Sequence, residues 1–273
     1  MKRNVFDNLV AWKNDSDRKP LILKGARQVG KTWLMKEFGR AQYSNYVYFN
    51  FDEEDELSSI FEANKNPHRI IELLGLLSGQ KILPGETLVI FDEIQECSTA
   101  LNSLKYFREK ANEYHVIAAG SLLGTILAQP KSYPVGQVNL IDLYPLSFDE
   151  FLAAIDENLY AYLSQVKKDQ PIEDIFHSKL LEVYNYYLII GGLPECVASW
   201  INHKDPQKIQ QIQSEVSAKL QTMGLLASRE IISQMELGKY SIRVSVLLAL
   251  KELYKASFDD FFMGLSLTTD ITK

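Results

Sequence analysis

LILKGARQVGKTW, residues 21–33, places an apolar run, two glycines and a Lys-Thr pair within thirteen positions. Gly25-Ala26-Arg27-Gln28-Val29-Gly30-Lys31-Thr32 satisfies the pattern G-x-x-x-x-G-K-[ST] at every defined position. Leu21 to Leu23 read as a buried strand that aims the loop, and KTWLMKEFGRA reads as a helix ending near Gly39. Strand, glycine loop and helix N-terminus in that order form a phosphate cradle. The glycines allow backbone angles that a Cβ penalises; the loop N–H groups converge on an anion, which the helix dipole also favours. Lys31 offers a point charge to the β- and γ-phosphates and Thr32 a hydroxyl to Mg²⁺. Gly25, Ala26, Arg27, Gln28, Val29, Gly30, Lys31, Thr32 and Trp33 are therefore the candidate nucleotide-binding residues.

A second stretch, TLVIFDEIQE (87–96), is an apolar strand that delivers Asp92 and Glu93 at its C-terminal end, where ligands sit in an open α/β sheet. Asp92 suits the carboxylate that holds the metal together with Thr32, and Glu93 suits the one that polarises an attacking water. Two acids placed directly on this strand favour hydrolysis over a kinase or a GTPase switch. The absence of an N-K-x-D sequence favours ATP over GTP. HVIAAGSLLG (115–124) is a further apolar strand running to Ser121, which is either a γ-phosphate sensor or a helix cap. The expected catalytic set is Glu93, Lys31 and Ser121. Arg27, Arg108, Arg229 and Arg243 read as surface arginines, so no cationic finger is assigned within the chain.

Short apolar runs alternate with amphipathic ones from residue 20 to about 145, as in βαβ units on a mostly parallel sheet. Strands are expected at 20–25, 45–51, 87–93, 115–121 and 138–144. Helices are expected after the first strand, over 59–79 as one or two segments, and over 98–114 with Ser98 or Thr99 as its cap. Beyond 145 the strand signal fades: 147–166, 172–190, 205–224 and 242–262 read as helices. SFDE (147–150) has capping-box spacing, and GGLPECV (191–197) reads as a turn between helices. The expected organisation is an α/β P-loop core over 1–145 and a helical region over 146–273.

Of the 273 residues, 46% are hydrophobic and 23% charged, as in an ordinary soluble globular protein. Lys and Arg number 29 against 35 Asp and Glu, a net charge of −6 that gives no global field for nucleic acid or anionic lipid. Two cysteines are too few for a disulfide scaffold and, with four scattered histidines and no ligand spacing, speak against a structural zinc site. With neither a signal peptide nor an apolar run near the roughly 20 residues of a membrane span, the reading is a cytoplasmic protein with no membrane partner.

GARQVGKTW, VYFNFDEED, LVIFDEIQE, AAGSLLG, LYPLSFDEFL and GGLPECV together resemble one family, the AAA-like prokaryotic ATPases that often carry a C-terminal restriction-endonuclease-like domain. The resemblance spans roughly residues 5 to 215. It implies an ATP-binding core of the additional-strand, catalytic-glutamate type, then a helical lid, then winged-helix-like and nuclease-like portions. By position it assigns Gly25, Gly30, Lys31 and Thr32 to phosphate and Mg²⁺, has Asp92 and Glu93 complete the site, and puts Gln95 and Ser121 near it. After about residue 217 the sequence departs from the family and lacks the Asp and Glu-x-Lys strand pair of such a nuclease. The expectation is Mg²⁺-dependent ATP hydrolysis that moves the C-terminal helical region. A nucleotide-gated binding module with little turnover and an ATP-dependent DNA-associated protein are the alternatives. A homo-oligomer and an unidentified protein partner both remain open.

Overall fold

Alternate residues of each core strand face opposite layers of helices, and that alternation organises the fold. In the computed structural model, which describes residues 1–53, 55–120, 136–167 and 171–222, the strands are β1 (Leu21–Lys24), β2 (Asn45–Asn50), β3 (Thr87–Asp92), β4 (His115–Gly120) and β5 (Asn139–Asp142). They form a parallel sheet in the order β2-β3-β4-β1-β5. Every residue of β3 and β4 is buried, as expected of central parallel strands covered on both faces.

Helices α1 (Val5–Asn14) and α2 (Lys31–Gln42) supply one layer; α3 (Asp55–Ala63), α4 (Pro67–Ser78) and α5 (Ser98–Lys110) supply the other. Leu21, Leu23, Leu88, Ile90 and Ile117 pack with Leu9, Trp12, Leu34 and Phe38 of the first layer. Their strand neighbours Ile22, Val89, Phe91 and Val116 pack with Leu57, Phe61, Leu74 and Phe107 of the second. The sheet and these two layers are the α/β P-loop fold read from the sequence, and helices follow it as far as residue 222, while the helix expected over 242–262 lies outside the described residues.

α2 runs through Gly39 to Gln42 rather than ending at the glycine. A Cβ at Gly39 would stand 2.9 Å from the Tyr46 ring, so this glycine makes room for β2 instead of capping a helix. α5 starts at Ser98, and its N-cap is Cys97 in extended conformation with no side-chain cap bond, so neither Ser98 nor Thr99 is the cap. A short 3-10 turn (Ile94–Glu96) joins β3 to that helix through Cys97.

The expected helix over 147–166 is two, α6 (Phe148–Ile155) and α7 (Glu157–Gln165). Asp156 divides them because its side chain accepts the Leu159 N–H at 3.0 Å and starts a new helix. The capping box at Ser147 and Glu150 is present. α8 (Asp174–Ile190) leads through Gly191 and Gly192 into α9 (Pro194–His203), so GGLPECV is a turn that opens a helix, with proline in its first turn. These elements belong to a compact unit Met1–Lys204; α10 (Pro206–Thr222) belongs to a second.

Candidate nucleotide site

β1 ends where the phosphate loop begins, and the close approach of β5 fixes the residue at that junction. A Cβ at Gly25 would lie 2.3 Å from the Leu143 carbonyl oxygen, and the Leu143 N–H donates to Lys24 O at 2.7 Å. Only glycine fits there. At the other end of the loop, Gly30 has φ +91° and serves as the N-cap of α2 without a side-chain cap bond. Gln28 takes φ +65° with a full side chain, a conformation that a non-glycine residue adopts at a cost. The loop is thus held in an open curve that ends on the N–H groups of the first turn of α2.

Lys31 is 6% exposed, and its Nζ donates to Gly25 O at 2.9 Å and Ala26 O at 2.7 Å. Burial lowers the ammonium pKa, while Glu93 and Asp92 oppose that shift. Thr32 Oγ1 donates to Asp92 Oδ2 at 2.5 Å, so the loop and the C-terminal end of β3 meet in one contact. Arg27 and Trp33 are exposed, Trp33 at 44%.

Asp92 is buried, and donors surround its carboxylate. Besides Thr32, the Tyr48 hydroxyl donates to Oδ2 at 3.1 Å and the Glu93 N–H to Oδ1 at 3.1 Å. Burial raises the Tyr48 phenol pKa, and the neighbouring Asp92 charge raises it further. Lys36 Nζ lies 3.5 Å from the centroid of the Tyr48 ring. Glu93 follows in a left-handed conformation (φ +47°, ψ +42°) that turns the chain out of the strand. Its Oε2 accepts from Gln95 Nε2 at 2.5 Å.

Lys31, Thr32, Asp92, Glu93 and Gln95 therefore come together as the sequence suggests, whereas Ser121 lies outside the described residues. Thr32 and Asp92 present hydroxyl and carboxylate oxygens, the hard donors that suit Mg²⁺. Among the described residues no group of three or more His, Cys, Asp or Glu side chains is placed to hold a metal.

The sequence reading missed Tyr48, Arg3 and Pro194. Tyr48 belongs to a strand read for its apolar pattern and for the VYFNFDEED resemblance, neither of which assigns the tyrosine a role; its reach to Asp92 follows from the β2–β3 register, which pairs Asn50 with Asp92. Arg3 is 6% exposed and donates from Nη1 to Val29 O in the loop at 3.0 Å. Pro194 Cγ lies 3.5 Å from where a Gly30 Cβ would stand, so the start of α9 borders the loop. Pro194 falls in the GGLPECV segment, read only as a turn, and no local pattern marks Arg3; tertiary packing brings both to the loop.

Residues 17–152 match the family model described as AAA domain. No curated protein sequence matches the chain. Solved structures similar to it include PCH-2 of C. elegans, with a TM-score of 0.42, 14% identity, and coverage of 71% of this chain and 59% of that one. Drosophila ORC bound to DNA has a TM-score of 0.41 and 14% identity over 94% and 88% of the two chains. A Signal Transduction ATPase with Numerous Domains protein with a tetratricopeptide repeat sensor, from Pyrococcus horikoshii, has a TM-score of 0.43 and 16% identity over 93% and 39%. The chain thus spans less than two thirds of the first and third of these structures. The AAA-domain match, taken with the loop and strand geometry, supports an AAA-like P-loop fold in residues 17–152. Among the described residues no helix is long and apolar enough to cross a membrane.

Proposed function

We propose that this chain binds ATP on the loop 25–33 and hydrolyses it with Mg²⁺. One observation carries the reading: the Thr32 hydroxyl touches the Asp92 carboxylate, with Lys31 and Glu93 on either side of that contact along the chain. Loop N–H groups and the Lys31 ammonium bind the phosphates once Lys31 leaves the Gly25 and Ala26 carbonyls. Thr32 and Asp92 hold the ion, which when bound neutralises charge developing on the phosphates. Glu93 accepts the proton of the attacking water, and Ser121 senses the γ-phosphate. Gln95 donates to the Glu93 carboxylate, so Glu93 becomes available as that hydrogen bond opens.

Coupling to the helical region from residue 146 onward has support in two contacts. Pro194, at the start of α9, borders Gly30, and the Leu146 N–H donates to Gly192 O at 2.6 Å. A loop that shifts on gaining or losing a phosphate pushes on the segment that anchors these helices. The engaged state of Glu93 favours a second reading, a nucleotide-gated module with little turnover until a partner, or a second copy supplying an arginine, acts on it.

Steady-state ATP hydrolysis measured against protein concentration, with nucleotide binding measured in parallel, separates the two. Turnover that Glu93→Gln abolishes supports the ATPase; turnover per subunit that also rises with concentration adds a site completed by a neighbour. Tight binding without turnover at any concentration supports the gated module. Absence of ATP binding overturns both.

A further inference from the structure

The N-terminal segment reaches the phosphate loop through one buried side chain. Arg3 Nη1 donates to the Val29 carbonyl at 3.0 Å, Nη2 to the Tyr144 carbonyl at 2.6 Å and Nε to Glu150 Oε2 at 3.2 Å. Glu150 is itself fixed: it accepts the Asn4 N–H on Oε1 at 2.6 Å and the Ser147 N–H on Oε2 at 3.1 Å. The guanidinium thus bridges the loop, the exit of β5 and the first turn of α6. Its planar fork suits three acceptors in fixed directions, which a lysine ammonium on a flexible stem does not reproduce.

Holding the Val29 carbonyl has a consequence on the opposite edge of the same peptide. The group from Val29 to Gly30 is planar and trans, so its C=O and N–H point in opposite directions. While Arg3 holds the carbonyl, the Gly30 N–H faces away from the guanidinium. On its Gly30 side that peptide meets little resistance to turning, because a φ of +91° lies in a region open to glycine. An N–H that must be aimed before a phosphate arrives contributes more than one that has to be turned on binding.

We infer that Arg3 is a positioning residue of the phosphate loop: by holding the Val29 carbonyl it presents the Gly30 N–H to the nucleotide's phosphates. The inference rests on the nucleotide-binding reading of residues 25–33. Arg3 touches the loop backbone and not the ligand, and Glu150 acts one step behind it by steadying the guanidinium.

The test compares ADP and AMP binding to wild type, Arg3→Lys and Glu150→Gln, alongside thermal unfolding of each ligand-free protein. Failure of wild type to bind ADP overturns the nucleotide reading itself. Where wild type binds, Arg3→Lys is expected to weaken ADP by about tenfold, the scale of one charge-assisted hydrogen bond. AMP, with one phosphate fewer on the loop, should lose less, so the preference for ADP over AMP falls. Glu150→Gln keeps an acceptor for Arg3 and should show the same change in preference to a smaller extent; it also serves as the measurement if Arg3→Lys does not fold. A purely structural clamp would lower the unfolding temperature while leaving that preference at its wild-type value in the variants that fold, and this result overturns the inference.

Discussion

Thr32 Oγ1 and Asp92 Oδ2 are in hydrogen-bond contact at 2.5 Å although 60 positions separate the residues in the chain. β1 aims the loop and β3 ends beside it, so neither side chain has to search for the other. Thr32→Val keeps the branched shape and removes the hydroxyl. The expected result is an unchanged ATP affinity in EDTA and a loss of most of the affinity gained on adding Mg²⁺, read as the ratio of the two dissociation constants. An equal loss in both conditions would place the hydroxyl's effect on the loop rather than on the ion.

Lys31 and Glu93 should separate binding from chemistry. Lys31→Ala removes a buried charge aimed along the loop and should weaken ATP by about 10- to 100-fold, from the 1.5–3 kcal/mol typical of hydrogen bonds to charged groups. Glu93→Gln should bind ATP within a few-fold of wild type and lose on the order of 10²–10⁴ in turnover, the usual contribution of a general base. Equilibrium binding and single-turnover hydrolysis on the same preparations check both expectations.

The candidate phosphate site can be picked out in the sequence because its parts are local: Gly25 to Thr32 are consecutive, and the direction of an apolar strand predicts where Asp92 and Glu93 emerge. The strands were legible for a related reason, since burial on both faces writes continuous apolar runs such as Leu88 to Phe91. Helix ends were less so. Gly39 looks like a stop signal, yet its lack of a side chain serves the Tyr46 ring across the layer, and that pressure leaves no local trace. Asp156 looks like one more acid in an amphipathic run, but its side chain caps a new helix. Helix α1 has no counterpart among the expected helices, although Leu9 and Trp12 are buried at helical spacing. The same long-range packing hides Arg3 and Tyr48, whose partners lie on other strands and loops.

Tyr48 supplies a direct check on that hidden part of the site. Its hydroxyl shares Asp92 Oδ2 with Thr32, so it restrains which way the carboxylate faces. Tyr48→Phe keeps the ring under Lys36 Nζ and deletes only the donor. The expected change in folding stability is within about 1.5 kcal/mol, the usual span for one hydrogen bond. The expected functional change is a several-fold higher Mg²⁺ concentration at half-maximal ATP binding, with little change in binding without the ion. An unaltered Mg²⁺ dependence would reduce Tyr48 to a packing residue.

His115 makes stability depend on pH from a position in the core, away from the phosphate site. Its Nδ1 and the Tyr43 hydroxyl are 2.8 Å apart, the Trp12 and Tyr43 rings meet it edge-on, and burial lowers its pKa from 6.5 to about 4, with the Arg18 and Lys13 charges adding to the shift. The buried imidazole stays neutral while the unfolded chain takes up a proton near pH 6.5. The unfolded state therefore binds more protons between about pH 6.5 and about pH 4, and stability falls as pH drops through that window. Above it both states are neutral and the effect vanishes. Urea midpoints measured at pH 7.5 and pH 5 should differ in that direction for wild type. His115→Gln, which retains an acceptor for the Tyr43 hydroxyl but does not titrate, should be less stable at pH 7.5 and show a smaller difference between the two pH values. An identical difference in both proteins would assign the acid sensitivity to other groups.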